Sequence, residues 1–380
     1  MLHIHRAERA DGLVEALGDV VAKPLDDPMQ SEIVSVPTRG IERWLTQRLS
    51  TRLGASPGRA DGVCANVDFP FPGRLVGWAV AAATGVDRDA DPWLPERSVW
   101  PLLDVVDGCL AEGWLEALAT HLGGVGERAD PNRRARRFGT VRHLADLYDR
   151  YGVHRPDMLR AWAAGNDTDG AASPRPLPPE AAWQAELWRR LRRRIGAPSL
   201  AERLDGACRA LTGDPELVDL PARLSIFGLT RLPASYLDVL RALAGHRDVH
   251  LFLLHPSPVL WARVTEATTG RPPIRRRLDD ITAHLPASPL LASWGQDARE
   301  MQLVLTAGDG TVVDDHRPLP EADQAAPTAA PATLLARIQA DVRADRNPPG
   351  APLPGQEDQR PVLDPADRSL QVHACHGRAR

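Results

Sequence analysis

The sequence predicts an α/β protein: a parallel sheet covered by helices, with an all-helical subdomain inserted into it. Two observations carry this. Short apolar runs alternate with helical patterns through the first stretch, giving three strand–helix units by about Thr84. Strand patterning then vanishes between about Asp87 and Leu220 and returns at Arg223–Gly228 and Val249–Leu254.

Taken in order, Leu2–His5 reads as a first strand, and Arg9–Val21 as a helix whose inner face is Leu13, Leu17, Val20 and Val21. Ile33, Val34 and Val36 form an apolar run suited to a buried parallel strand. Pro37 ends it, and Thr38 is placed to cap the next helix. There Ile41, Trp44, Leu45 and Leu49 fall at i, i+3, i+4 and i+8, on one face. Val63–Phe69 reads as a third strand, and Pro72 opens a helix with Leu75, Val76, Trp78 and Ala79 inside.

Helices are predicted over Val99–Leu110, Trp114–Leu122, Thr140–Tyr151, Met158–Ala164, Pro179–Ile195 and Leu200–Leu211. Six of the ten tryptophans, Trp93, Trp100, Trp114, Trp162, Trp183 and Trp188, lie in this region. At helical spacing they read as core rather than as a ligand platform. The α/β pattern resumes with RLSIFG, a helix over Pro233–Ala244, and the apolar strand VHLFLL, which suits the centre of a sheet. Arg263–Arg277 reads as a charged loop and Pro289–Thr306 as one helix.

Beyond Ala307 the composition shifts to Asp, Pro and Ala, a linker pattern broken by one amphipathic helix over Thr333–Ala344. Asn347–Arg368 reads as a further loop, and Ser369–Cys375 as the start of a new strand. A strand with no helix after it leads us to expect a piece of a longer polypeptide.

At 380 residues and 43% hydrophobic content, the chain has enough apolar material for about two to three packed units. Its net charge of −4 argues against a uniformly basic nucleic-acid binder, so any such role rests on local patches. Lys23 is the only lysine, and it follows no glycine loop, so there is no Gly-x-x-x-x-Gly-Lys-Ser/Thr phosphate loop. Cys64, Cys109, Cys208 and Cys375 show no Cys-x-x-Cys pair, which points to free thiols and a cytoplasmic setting. No apolar run approaches the roughly 18 residues of a membrane span. The carboxylates of Asp309–Asp315 fall in a presumed loop, with no strand or helix to hold them around Mg²⁺ as a nuclease would. His373 and His376 read as strand-end residues rather than a metal pair.

Arg39 and Arg43 stand in the first turn of the helix after Thr38, beside free backbone N–H groups that suit a phosphate. An ordinary α/β unit with arginines near a helix start reads the same way. Two further clusters fit either a solvated helix face or contact with a phosphate backbone. They are Arg133, Arg134, Arg136 and Arg137, and Arg189, Arg190, Arg192, Arg193 and Arg194.

The segments LHIHRAERADGLVEAL, VSVPTRGIERWLTQRLS, VCANVDFPFPGRL, HLADLYDRYGVHRPDML, IFGLTRLPASYLDVLRALA, PLLASWG and LDPADRSLQVHACHG run through the whole chain in one order. Together they resemble the N-terminal third of RecC, the gamma subunit of exodeoxyribonuclease V (RecBCD), in its actinobacterial form. The resemblance implies a superfamily-1, P-loop-helicase-like fold that has lost its ATPase. HRAERADG stands where the phosphate loop would be, and Ser225-Ile226-Phe227-Gly228 where an acidic Walker B pair would end its strand. Residues 1–86 and 223–307 would then form a 1A-type domain, 87–222 an inserted helical 1B-like subdomain, 308–368 a linker with one helix, and 369–380 the entry to a second helicase-like half.

The resemblance also implies a role without catalysis of its own, in an ATP-dependent helicase/exonuclease of double-strand-break repair. Such a subunit partners RecB-like and RecD-like chains, which use ATP and Mg²⁺, and forms a channel for the 3′-ended strand that is scanned for the recombination signal Chi. Carried over by motif, channel residues fall at Pro37, Thr38, Arg39, Arg43, Phe71, Asp146, Leu147, Asp149, Arg155 and Arg203. Relatives that read Chi are rich in amides around the first turn, where this chain has Pro37, Arg39 and Arg43, so a channel lining is implied more directly than recognition of the same octamer. The other readings are a scaffold subunit that does not read DNA, and an active ATPase or nuclease, which the lone lysine and loop-borne carboxylates oppose.

Overall fold

The computed structural model describes residues 1–56, 58–59, 61–123, 136–171, 173–271, 274, 277–306, 312–318, 333–362 and 364–374. β1 (Leu2–Ala7) leads through α1 (Ala10–Val21) to β2 (Glu32–Ser35). α2 (Arg39–Leu49) begins at Thr38, whose hydroxyl accepts from the Ile41 amide at 3.2 Å and satisfies one free N–H of the first turn. β3 (Val67–Asp68) is followed by α3 (Pro72–Thr84), with proline at its start and Gly85 in the left-handed region (φ 66°) at its end.

Next come α4 (Pro95–Cys109), α5 (Glu116–His121), α6 (Arg137–His154), α7 (Pro156–Ala163), α8 (Ala182–Ile195) and α9 (Leu200–Gly213). β4 (Arg223–Phe227), α10 (Ala234–Ala244) and β5 (Asp248–Leu254) precede α11 (Pro258–Thr268), α12 (Pro289–Ser293), α13 (Gln296–Thr306), β6 (Val312–Arg317) and α14 (Leu334–Arg343).

These elements form two compact units. The first takes Met1–Phe69, Arg223–Leu232 and Asp248–Arg380. Its six strands lie in the order β3-β2-β4-β5-β1-β6, all parallel, with Leu2 opposite both Val249 and Val312, and Ile33 opposite Leu224. The expected parallel α/β architecture is therefore observed. Strand alternation divides the side chains between two faces. Ala7, Val34, Val36, Phe227 and Phe252 pack on one face against Leu13 and Leu17 of α1 and Leu45 and Leu49 of α2. α11 and α13 pack together, joined by Leu260, Val264, Leu291 and Leu303. Arg223 ties β4 to its neighbours by pairing with Glu32 and donating to the Val20 and Lys23 carbonyls at 2.9 and 2.8 Å.

The second unit takes Pro70–Ala222 and Pro233–Arg247. Its core joins Leu102 and Val106 of α4, Val141 and Tyr148 of α6, Met158 and Trp162 of α7, and Trp188 and Leu191 of α8. Trp162 and Trp188 meet edge to face at 6.3 Å, both fully buried, while Trp100 stands 59% exposed. The Trp162 indole donates to the Thr168 carbonyl and the Tyr148 hydroxyl to the Gln184 carbonyl, each at 3.0 Å, so these rings are buried without losing their polar partners. α9 packs on α3, α7 and α10, which places α10 in this unit although it falls between two strands of the sheet.

Several sequence expectations are corrected. Arg263–Arg277 is not all loop, because α11 runs to Thr268, capped by the Ser257 hydroxyl on the Leu260 amide. Pro289–Thr306 is two helices, α12 and α13, separated at Trp294–Gly295. A side chain at Gly295 would meet the Leu291 carbonyl oxygen at 2.7 Å. Val63–Phe69 shrinks to Val67–Asp68. The stretch read as linker contains β6, so Asp314 and Asp315 sit on a strand, with Asp309 outside the described residues. Residues 369–374 form no strand, and Cys375 and His376 lie outside the described residues. Among the described residues no helix is long and apolar enough to cross a membrane.

Candidate nucleic-acid interface

The two units divide the sequence-predicted residues. Pro37, Thr38, Arg39 and Arg43 belong to the first; Phe71, Asp146, Leu147, Asp149, Arg155 and Arg203 belong to the second. In the first, β2 ends at Ser35 and half-buried Pro37 leads into the Thr38 cap. The buried side of α2, Leu45 and Leu49, fixes the helix on the sheet and turns Arg39 and Arg43 outward. Both are exposed, and neither guanidinium has an ion-pair or hydrogen-bond partner among the described residues. Two unpaired cations thus stand one helical turn apart at the start of α2, Arg39 at its first residue, where the backbone already favours an anion, and Arg43 above it.

In the second unit Phe71 is the N-cap of α3 and 45% exposed. One turn on, exposed Arg74 lies over the half-buried Trp78 ring at 5.1 Å, a cation-on-indole contact outside the residues the motifs pointed to. Its signal in the sequence was an arginine and a tryptophan four residues apart. On α6, Asp146 pairs with Arg142 at 3.4 Å, and Leu147 packs against the helical core. The pKa of Asp149 is pushed up by partial burial and then by the nearby carboxylates of Asp146, Glu96 and Asp91. Arg155, at the junction of α6 and α7, is exposed. Arg203 is turned inward and paired with Asp91, with 12% and 17% of the two side chains exposed. Its guanidinium serves the packing of this unit.

The arginine clusters divide as well. Arg133 and Arg134 lie outside the described residues; Arg136 is exposed at the start of α6, and Arg137 pairs with Asp107 at 2.7 Å. On α8 the positive charges are met by carboxylates. Arg189 pairs with Asp167 and Glu186, and Arg190 with Glu112 at 2.6 Å and Glu186 at 2.8 Å. Arg192 pairs with Glu202 at 2.6 Å, Arg194 with Asp104 at 2.9 Å, and the more exposed Arg193 with Glu186 at 3.6 Å. The Arg190 guanidinium also covers the Trp114 ring at 4.7 Å and holds the Glu112 pKa down at about 2. A run of like charge in sequence is thus a largely neutralised network in space. Among the described residues no group of three or more His, Cys, Asp or Glu side chains is placed to hold a metal ion.

Residues 2–345 match the family model described as RecC, N-terminal domain. The chain is 42% identical over 381 residues to the RecBCD enzyme subunit RecC of Mycobacterium tuberculosis, covering all of this chain and 32% of that protein. It is 42% identical over 382 residues to the same-named protein of Mycolicibacterium smegmatis, covering 30% of it, and 27% identical over 413 residues to that of Escherichia coli, covering 34%. The chain spans about a third of the length of the curated relatives it matches. The two mycobacterial proteins are more similar to it than the Escherichia coli one, in keeping with the actinobacterial pattern read from its motifs. By the extent of this match, the chain belongs to the RecC family and carries its N-terminal domain.

Proposed function

We propose that this chain is part of a non-catalytic, DNA-handling subunit of a RecBCD-type helicase/exonuclease, acting in the cytoplasm in double-strand-break repair by recombination. Its partners are RecB-like and RecD-like chains that bind ATP and Mg²⁺. Its own sheet is a helicase-like 1A core without a working phosphate loop, and the helical unit corresponds to a 1B-like insertion. The parallel sheet and the absence of a lysine from HRAERADG support this reading.

The observation that carries it is the start of α2. Thr38 holds the first turn in place, and Arg39 and Arg43 present two unpaired guanidinium groups beside it. That arrangement can grip the phosphates of a passing 3′-ended strand. Arginine can also read guanine in two-point fashion, so scanning for Chi by a chemistry different from the amide-rich relatives is part of the proposal. Replacing both arginines by glutamate in the assembled complex is expected to weaken crosslinking to single-stranded DNA. Unchanged crosslinking would sink the grip. A scaffold role is favoured for α8, where the arginines already have carboxylate partners.

A further inference from the structure

Among the described residues of the second unit, the large apolar side chains left exposed are all aromatic: Phe71, Trp100 and Phe138. No leucine, isoleucine, valine or methionine of this unit is exposed with them. Two of the three stand together. Trp100, 59% exposed, lies on the outer side of α4, whose inner side is Val99, Leu102 and Val106. Phe138, 47% exposed, lies in the first turn of α6. Their ring centres are 5.4 Å apart and their planes inclined at 41°, so the pair is not closed face to face.

Other tryptophans of this unit have companions. Trp93 stacks on Trp188, Trp162 meets Trp188 edge on, and Trp114 lies beneath Arg190. The indoles of Trp93, Trp114 and Trp162 donate to Ala197, Glu112 and Thr168, while that of Trp100 has no partner among the described residues. Single exposed apolar groups are ordinary on a protein surface; two large rings in contact there are not.

The surrounding charges narrow the ligand. Arg97 precedes Trp100 by three residues on α4, and Arg142 follows Phe138 by four on α6. Such spacings bring side chains together on one helix face, about 5–6 Å apart at Cβ. Arg97 is exposed, and its guanidinium has no partner among the described residues. Arg142 has Asp146 at 3.4 Å with 40% and 44% of the two side chains exposed, a contact that holds it weakly. Carboxylates further along α4 are already engaged, Asp104 by Arg194 at 2.9 Å and Asp107 by Arg137 at 2.7 Å. Glu96, beside Arg97 in sequence, lies close enough to Asp149 to help raise its pKa.

A protein partner docks on a broad apolar patch, on the order of 800 Å² a side, and two rings without aliphatic neighbours do not supply one. Aromatic faces next to spare guanidinium groups match a strand whose bases stack while its phosphates are neutralised. We propose that Trp100 and Phe138 form a stacking step for the bases of a single-stranded nucleic acid, with Arg97 and Arg142 on the adjoining phosphates. Every base has a flat face, so the step takes any sequence. The inference rests on the reading of the chain as DNA-handling, and adds a contact made with bases in the second unit to the phosphate grip of Arg39 and Arg43 in the first.

The test is fluorescence anisotropy on the assembled complex with a deoxythymidylate strand, a deoxyadenylate strand and an abasic strand of equal length, which keeps the phosphates and lacks the bases. Trp100→Ala and Phe138→Ala are each expected to weaken binding of both base-bearing strands about tenfold and to leave the abasic strand unchanged, with Trp100→Phe in between. Replacing Arg39 and Arg43 by glutamate weakens all three strands, so failure of that grip and failure of the stacking step read differently. In the unaltered complex, irradiation with a 5-iodouracil-substituted strand is expected to attach it to Trp100 or Phe138, identified by peptide mass spectrometry; this arm carries the test if circular dichroism shows either alanine variant to be misfolded. Equal losses on abasic and base-bearing strands, full binding by both alanine variants, or attachment only at other residues would each overturn the proposal. So would release of the partner subunits by Trp100→Ala, which would make the pair a protein contact. A complex that binds no strand at all would overturn the DNA-handling reading as well.

Discussion

Arg203 of α9 and Asp91, 112 residues apart in sequence, form an ion pair in which both side chains are almost out of water. Breaking such a pair leaves one charge buried alone, which costs about 3 kcal/mol or more. Arg203→Leu is therefore expected to lower unfolding stability by about that amount in urea titration, and Asp91→Leu combined with Arg203→Leu to recover most of it. A small loss for Arg203→Leu alone would return this arginine to the list of strand-contacting candidates.

Thr38→Ala removes the α2 cap and is expected to cost about 1 kcal/mol, with Thr38→Ser nearly neutral. Arg39→Glu acts in the opposite sense, since an acidic residue at the first helical position favours the helix by about 0.3–1 kcal/mol. Denaturant midpoints of the three variants check both signs. The second result matters for function, because lost DNA binding in Arg39→Glu could not then be blamed on unfolding.

If Arg39 and Arg43 hold phosphates, affinity for a single strand carries their share of counterion release. The slope of log affinity against log salt should shrink by about 0.7 for each lost contact when they are replaced by glutamate, measured by fluorescence anisotropy on the assembled complex. An unchanged slope with weaker binding would place the lost contacts away from phosphate.

His250 and His255 are both buried, and both have pKa values held down at about 3 from an ordinary 6.5. For His250 burial is the main cause, followed by His3 and His5; for His255 it is burial, followed by His316 and Arg6. The unfolded chain therefore takes up more protons as pH falls. The stability these rings contribute is complete above pH 6.5 and lost as pH drops from 6.5 through 3, at up to about 1.4 kcal/mol per pH unit each. His255→Phe is expected to flatten the stability profile between pH 6 and 4 by about that slope. Since carboxylates titrate nearby, the quantity to compare is the difference between the two profiles.

Gly170 adopts φ +68°, and a Cβ there would lie 2.3 Å from the Met158 nitrogen. Gly170→Ala is expected to cost about 2 kcal/mol or more, since both the backbone conformation and the start of α7 resist it. Thermal unfolding measures this directly.

Much of the sheet could be read from sequence because its central strands are continuous apolar runs, IVSV, LSIF and VHLFLL, bounded by turn residues. β6 was missed for a physical reason: VVDDHR is an edge strand, and edges are dressed with charge. The break between α12 and α13 was missed because apolar spacing continues across Trp294–Gly295, and only the close approach of Gly295 to Leu291 reveals the turn. Of the candidate site, the Thr38 cap and its two arginines were legible because helix-start chemistry is local. The fates of Arg190, Arg192 and Arg203 depend on Glu112, Glu202 and Asp91, which no local pattern ties to them. Arginine runs show where charge is plentiful, and only tertiary structure shows where it is spare.

The strand order carries a consequence for how the protein is made. Among the described residues β1 pairs with β5 and β6, so Leu2 waits for Val249 and then Val312, more than 240 residues later in the chain, before it has a sheet neighbour. α4 to α9, by contrast, draw their core from a continuous stretch and can close while later codons are still being read. During that interval Leu2–Ala7, with Leu2, Ile4 and Ala7 as its apolar residues, is an unpaired segment, and a slow-translating or shortened message would leave it so. Expression yield should therefore respond more sharply to chaperone supply, and to deletions around β5, than to changes anywhere in the helical unit.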